Sequence, residues 1–282
     1  MTGTLYICAT PIGNLADITF RTVETLKNAD LIAAEDTRHS RILLDRFDIH
    51  VPVTSYHEHN KYEKAELLVG KLFQGMDVAL ITDAGTPVIS DPGEVLVKAC
   101  VDAGIPVTSL PGPCACITAL TVSGLPARRF CFEGFIPQAN KERKEVLERL
   151  RQETRTTIFY EAPHHLKQTL SELEKSVGGG RSIALCRELT KVYEDIWRGS
   201  LEDAIAYYKE ATPKGEYVIV VSGRSQDEIE AEKTKRWENI SLQDHLQQYL
   251  SKGLSRKEAM KMMASDRGCN KREIYQLLLE ED

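Results

Sequence analysis

Along the first part of this 282-residue chain, short apolar runs alternate with amphipathic stretches, and that alternation constrains the fold more than any other feature. A short run that is apolar throughout buries both of its faces most readily in a parallel sheet covered by helices. Strands are expected at Leu5 to Ala9, Leu31 to Ala34, Val51 to Ser55, Val78 to Ile81 and Val107 to Leu110. Helices are expected between them, as at Thr19 to Lys27, where Phe20, Val23 and Leu26 recur at three-residue spacing, and at Ala65 to Phe73. In open sheets of this kind ligands bind beyond the carboxyl ends of the strands, so the strand exits are where chemistry is to be sought.

The alternation pauses at Ser123-Gly124-Leu125-Pro126, and a second set of strands follows at Phe130 to Phe135, Thr156 to Tyr160, Ser182 to Cys186, Asp195 to Arg198 and Tyr217 to Val221. Lys141 to Gln152 is charged and strongly helical. Val192 to Ser200 shows no helical period and closely follows a strand, which predicts an antiparallel neighbour and a mixed sheet. Gly178-Gly179-Gly180 precedes a strand instead of opening a helix and reads as a turn, not a phosphate loop.

After Gly223, the polar stretch Arg224 to Lys235 reads as a linker to a helical unit. Leu242, Leu246 and Leu250 define one helix, Gly253 ends it, Ser255 caps the next, and Gly268 punctuates again. The organisation expected is a first domain over 1–122, a second α/β domain over 123–225, and a linker with a helical tail over 226–282. Between Lys252 and Arg272 seven basic residues face only Glu258 and Asp266, a local excess that the whole-chain charge of −6 conceals. Arg256, Lys257, Lys271 and Arg272 are therefore candidate RNA contacts, the alternative being a solvated cap that only packs on the main body.

No apolar run approaches the roughly 20 residues needed to span a bilayer, and Met1-Thr2-Gly3-Thr4 leads into a strand without a targeting segment, so a cytoplasmic protein is expected. The seven cysteines lack zinc-type pair spacing and mostly sit in apolar stretches, the pattern of reduced, buried thiols. Cys114 and Cys116 form a C-x-C, too short for the usual C-x-x-C redox or zinc pair, and no chemistry is assigned to it.

Three strand exits on one edge carry restricted, small-residue loops. Pro11-Ile12-Gly13-Asn14 has one glycine where a dinucleotide enzyme has three, so a pyrophosphate cradle is not expected there. Pro11 stiffens the exit, and Gly13 admits another backbone closely, which suits a neutral, compact ligand group. Thr82-Asp83-Ala84-Gly85-Thr86-Pro87 runs on to Ser90-Asp91-Pro92-Gly93, with carboxylates able to meet an ammonium or ribose hydroxyls. Asp91-Pro92 equally suits a helix cap and a first-turn proline. Leu110-Pro111-Gly112-Pro113-Cys114-Ala115 supplies the third exit.

With these loops the chain resembles the tetrapyrrole methylase superfamily, which carries P-x-G after the first strand, an Asp-containing loop after the fourth and a P-G turn after the fifth. More narrowly, Ala9 to Leu15, Ala34-Glu35-Asp36-Thr37-Arg38-His39, Ser90 to Gly93, Pro111 to Ala115 and Arg187-Glu188-Leu189-Thr190-Lys191 are similar to its branch of small-subunit ribosomal RNA 2′-O-methyltransferases. The resemblance runs from Leu5 into the tail. It implies two α/β domains of tetrapyrrole methylase type, the first a parallel Rossmann-like sheet and the second mixed, plus the helical unit. It also implies S-adenosylmethionine between the domains, a homodimer, and methylation of a cytidine ribose in the decoding region. By resemblance, Pro11, Asp83, Ala84, Thr86, Cys114 and Ala115 serve the cofactor from the first domain, and Phe159-Tyr160-Glu161, Leu189 and Gly215-Glu216 from the second. Thr82-Asp83-Ala84 stands where many superfamily members have Gly-Asp-Pro, a substitution common in the ribosomal RNA branch.

A neutral ribose hydroxyl is a poor nucleophile and benefits from a base, or from a cation that stabilises developing alkoxide. Glu35-Asp36-Thr37-Arg38-His39 and Tyr56-His57-Glu58-His59-Asn60 offer such groups: Arg38 and Arg41 can hold phosphates, and His57 titrates near neutrality. If the strand continued, His57 and His59 would share a side, but no third ligand accompanies them and no metal is expected. The alternative is that they only satisfy backbone groups of their own loop. Lys191 can act as a partly desolvated base or as an alkoxide clamp. Lys191, His57 and Arg38 are thus the candidate catalytic residues. The competing readings are a porphyrin-like macrocycle C-methyltransferase, which needs no basic tail, and a non-catalytic RNA-binding assembly factor.

Overall fold

The computed structural model describes residues 1–238 and 240–281. The expected alternation is present: β1 (Leu5–Cys8), α1 (Phe20–Asn28), β2 (Leu31–Ala34), α2 (Thr37–Arg46), β3 (Val53–Ser55), α3 (Lys61–Phe73), β4 (Val78–Ile81), α4 (Gly93–Asp102) and β5 (Val107–Leu110). The five strands form an all-parallel sheet in the order β3-β2-β4-β1-β5. Both faces are covered, which is why β2 and β4 are buried at every position. Leu5, Ile7, Ala33 and Leu80 pack toward α3 and α4 on one face, while Ile32, Ala34, Ala79 and Ile81 pack toward α1 and α2 on the other.

The second sheet comprises β6 (Phe130–Phe135), β7 (Thr156–Glu161), β8 (Ser182–Arg187), β9 (Asp195–Ser200) and β10 (Tyr217–Val221), ordered β6-β7-β10-β8-β9. Only β6 and β7 run parallel; β9 pairs antiparallel with β8, so the sheet is mixed as the sequence predicts. Helices α6 (Asn140–Gln152), α7 (Leu166–Val177) and α8 (Leu201–Glu210) cover one face. The other face receives α5 (Ala115–Ser123), through Cys116, Ala119 and Leu120 against Ile158, Ala184 and Val220. Thus α5, all but its last residue inside the range 1–122 expected for the first domain, packs on the second sheet. Both sheets belong to one compact unit, residues 1–151 with 155–222.

The remaining residues, 152–154 and 223–282, form a second unit. Here one expectation is corrected: the stretch read as a linker lies largely in a helix, α9 (Gln226–Glu238). Its polarity all round hid it, because a helix without an apolar stripe leaves no periodic signal. Beyond it are α10 (Leu242–Leu250), α11 (Arg256–Asp266) and α12 (Lys271–Glu281), packed around Leu246, Met263, Ile274 and Leu278. His245, fully buried, stacks on Trp237 with ring centroids 3.6 Å apart. Its Nδ1 accepts from Arg267 at 3.2 Å, so Nε2 carries the proton and donates to Asp266, also at 3.2 Å.

Candidate functional site

Four strand exits of the parallel sheet are laced together at its carboxyl edge. Thr10 and Gly85 exchange backbone hydrogen bonds of 2.9 and 3.1 Å, and the Thr10 hydroxyl donates to the Thr82 carbonyl at 3.1 Å. The Thr82 hydroxyl donates to Glu35 at 2.7 Å, the Asp36 amide to Asp83 at 3.1 Å, and the Thr86 hydroxyl to the Pro113 carbonyl at 2.8 Å. Short polar side chains at the ends of apolar strands thus fix the loops against one another. Burial raises the Asp83 carboxyl above its ordinary value; the Asp36 amide opposes this and the Glu35 charge adds to it.

The loop after β8 enters this edge from the other sheet. A Cβ on Gly13 would stand 2.4 Å from Lys191 Cγ and 2.8 Å from Thr190 Oγ1. The close approach that the sequence suggests at Gly13 is made by that loop, while Gly13 also lines a cavity at this edge. Lys191 Nζ donates to Glu188 Oε1 at 3.0 Å and to Glu216 Oε2 at 2.9 Å, and the Glu216 amide donates to the same Glu188 oxygen at 2.9 Å. Burial works against the Lys191 ammonium, but the two carboxylates prevail and hold it above the ordinary lysine value. Lys191 is therefore a cation at neutral pH, which separates the clamp from the base.

Two adjoining cavities open here. One, of about 480 Å³, is lined from the first sheet by Ile12, Asp83, Ala84, Thr86, Cys114 and Ala115, and from the second by Phe135, Tyr160, Glu161, Leu189 and Glu216. The other, of about 440 Å³, is bounded by Pro11, Gly13, Leu15, His39, Ile42 and Leu43. Ile12, Thr82, Asp83, Ala84, Lys191 and Glu216 belong to both. Among the described residues, Glu35, Asp83, Asp91, Glu161, Glu188 and Glu216 line the larger cavity against the single cation Lys191. Among the described residues, five non-glycine residues have positive φ, and Val88, Ser90, Glu188 and Thr190 are four of them. Such conformations are strained, acutely so for β-branched Val88 and Thr190, and cluster where a site is held open.

Residues 4–205 match the family described as tetrapyrrole (corrin/porphyrin) methylases. The chain is 48% identical to the ribosomal RNA small subunit methyltransferase I of Synechocystis sp. over 278 residues, covering 99% of this chain and 98% of that protein. The chain belongs to this methyltransferase family. The protein of the same name from Halalkalibacterium halodurans is 47% identical over 279 residues, covering 99% of this chain and 96% of that one. The fold is shared with the crystal structure of uroporphyrin-III C-methyl transferase from Thermus thermophilus complexed with S-adenyl homocysteine, at 18% identity and a TM-score of 0.55, covering 77% of this chain and 97% of that chain.

Within this site the sequence-derived cofactor residues divide. Asp83, Ala84, Thr86, Cys114, Ala115, Tyr160, Glu161, Leu189 and Glu216 line the larger cavity; Pro11 and Gly13 line the adjoining one. Gly215 lines neither but adopts φ +74°, and a Cβ there would meet Glu188 Cγ at 2.4 Å. Of the catalytic candidates only Lys191 reaches the cavities. Arg38 is 91% exposed and pairs with Asp36 at 3.3 Å, and Arg41 is exposed beside Asp45. The strand does not continue to His57: β3 stops at Ser55, and the His57 amide donates to Asn60 Oδ1 at 2.9 Å within the following turn. His57 lines neither cavity. Asp91 serves the start of α4, accepting from the Gly93 amide at 2.7 Å, while also lining the larger cavity.

Glu35, Phe135 and Glu188 were not singled out by sequence as cavity residues. Glu35 and Glu188 lie inside the motifs that carry the resemblance; Phe135, at the end of β6, carries no sequence signal. In the tail, Arg256 and Lys257 open α11 after the cap Ser255, and Lys271 and Arg272 open α12 after Asn270, whose Oδ1 accepts from the Arg272 and Glu273 amides. Each pair is followed by a glutamate, a small internal repeat. Cations at a helix N-terminus oppose the helix dipole, so these pairs are not there to stabilise their helices.

Proposed function

We propose that the protein transfers a methyl group from S-adenosylmethionine to the ribose 2′-hydroxyl of a cytidine in the decoding region of small-subunit (16S) ribosomal RNA. The charge of the larger cavity carries this reading: six carboxylates against one ammonium favour a ligand with cationic groups and disfavour a pyrophosphate. Its volume of about 480 Å³ falls within the roughly 300–1,000 Å³ of small-molecule sites. S-adenosylmethionine, with a sulfonium and an ammonium, fits such a wall and supplies an activated methyl group. Asp83, Ala84, Thr86, Cys114, Ala115, Tyr160, Glu161, Leu189 and Glu216 would hold it, with Pro11, Gly13 and Gly215 shaping the surrounding loops.

The adjoining cavity, bounded by Pro11, Leu15, Ile42 and Leu43, is the place for the acceptor nucleoside. Lys191, reaching both cavities as an ammonium, stabilises negative charge developing on the 2′-oxygen. Asp83, raised by burial and also common to both, is suited to take the proton. The cationic pairs at the starts of α11 and α12, exposed at Arg256, Lys257 and Arg272 and half-buried at Lys271, engage RNA phosphates together with Arg41 on α2, since a helix N-terminus bearing cations favours anions. His57 and Arg38 stay outside this chemistry, Arg38 being available to phosphate.

The resemblance further implies a homodimer acting in the cytoplasm on small-subunit RNA or the assembled small subunit. Among the described residues no helix is long and apolar enough to cross a membrane. Near-full-length identity favours ribosomal RNA over a porphyrin-like acceptor, for which the likeness is one of fold. Incubation with labelled S-adenosylmethionine and undermethylated small subunits tests the proposal: label is expected on one cytidine ribose. Label on a base, or none, would overturn it.

A further inference from the structure

Cys114 and Cys116 form a pair that the methyl-transfer chemistry does not use. Their sulfurs lie 3.4 Å apart at the start of α5, with Cys114 in the wall of the larger cavity and Cys116 buried beneath it. Ala115, the residue between them, is also part of that wall. We propose that Cys114 and Cys116 are a peroxide-sensitive dithiol whose oxidation to a disulfide reshapes the cofactor cavity and blocks cofactor binding. The inference rests on the cofactor reading of that cavity, but the thiol chemistry can be read without it.

Three features single this pair out. The Cys116 thiol, then the amides of Ile117 and Cys116 at the helix N-terminus, stabilise the Cys114 thiolate, outweighing burial and pulling its titration down to about 6. By contrast, burial pushes Cys8 up to about 12 and Cys100 and Cys186 up to about 11, leaving them as inert thiols. The resolving sulfur is already in van der Waals contact.

In the first step the Cys114 thiolate attacks hydrogen peroxide. A sulfur–oxygen bond forms, the peroxide bond breaks, and the departing hydroxide takes up a proton to become water. The Cys116 thiol is raised chiefly by its neighbour Cys114 and by burial. Conversion of Cys114 to a neutral sulfenic acid removes the charge that holds the Cys116 proton. The Cys116 sulfur then attacks Cys114, the sulfur–sulfur bond forms, and hydroxide leaves with the Cys116 proton as a second water. Two thiols are oxidised and one peroxide is reduced to two waters. Closing a 3.4 Å contact to the roughly 2.05 Å of a disulfide draws in the backbone at Ala115, and with it the cavity wall.

The test uses the full-length protein, reduced, desalted and treated with hydrogen peroxide. Peptide mass spectrometry reads the segment containing both cysteines, and calorimetry reads S-adenosylmethionine affinity, each protein being compared with its own untreated sample. The peptide is expected to lose two hydrogens, affinity to fall at least tenfold, and dithiothreitol to restore both. Cys116→Ser should instead trap Cys114 as a dimedone-reactive sulfenic acid. Both thiols remaining alkylatable after peroxide treatment, or a disulfide that leaves affinity unchanged, would overturn the proposal. If the reduced protein does not bind S-adenosylmethionine, the cofactor reading and the gating fall together, a result distinct from thiols that resist oxidation.

Discussion

The large cavity and the helical tail use positive charge in opposite ways. In the cavity wall a single cation, Lys191, is held between Glu188 and Glu216 and surrounded by further carboxylates. In the tail, Arg256, Lys257 and Arg272 are exposed at helix N-termini, while Arg267 is turned inward to His245. The difference teaches that the chain's net negative charge is a sum of two surfaces with different partners. The acidic cavity favours a cationic small molecule, and the basic helix starts favour phosphate. On the proposed function, Lys191 serves the chemistry and the tail serves anchorage.

Removing the cavity cation should break this contrast most severely. Lys191→Ala is expected to lower the single-turnover methyl-transfer rate by about 10²–10³, as loss of a charge-stabilising donor does, with cofactor affinity in calorimetry changed only a few-fold. Neutralising the tail should do the reverse. In Arg256→Gln/Lys257→Gln/Arg272→Gln, RNA affinity should fall, and the slope of log affinity against log salt should drop by about one for each phosphate no longer neutralised, with cofactor affinity unchanged.

Gly215→Ala sharpens the cavity side. Its φ of +74° and the close Glu188 carboxylate leave no room for a Cβ, so we expect a loss of about 1–3 kcal/mol in stability and weaker cofactor binding in calorimetry. The smallest effect concerns pH. The Glu216 amide, followed by Lys191, holds the Glu188 carboxyl below its ordinary 4.5 in spite of burial. A depressed carboxyl contributes stability above its unfolded value and loses it as pH falls through its folded value. Thermal melts of wild type and Glu188→Gln should therefore be well separated, with wild type the more stable, near neutrality, and draw together as pH falls below 4.5 and through the depressed folded value.

Much of the architecture was legible because burial imposes periodicity. The strands of both sheets, including the antiparallel β9, follow from apolar runs and their spacing. Helix α9 was not, since nothing apolar marks one face of it. Nor was the packing of α5: a helix apolar all round announces that it is buried but not against which sheet. In the site, the loop motifs pointed to Asp83, Cys114 and Lys191, yet no spacing rule says that Lys191 lies between Glu188 and Glu216, one of them 25 residues away along the chain. His57 and Arg38 were attractive as residue types, and their positions depended on where β3 ended and on Asp36 capping α2. The role of Gly13 was visible as a close approach, but the approaching group came from the other sheet.

Lys191 is central as a cation, and substitution by a side chain that keeps charge but cannot surrender its proton tests this directly. Single-turnover methyl transfer should be compared for Lys191→Arg and Lys191→Ala on undermethylated small subunits. Recovery by arginine of at least tenfold of the rate lost in alanine is the predicted result; an arginine variant as inactive as alanine, with cofactor affinity intact in both, would contradict it.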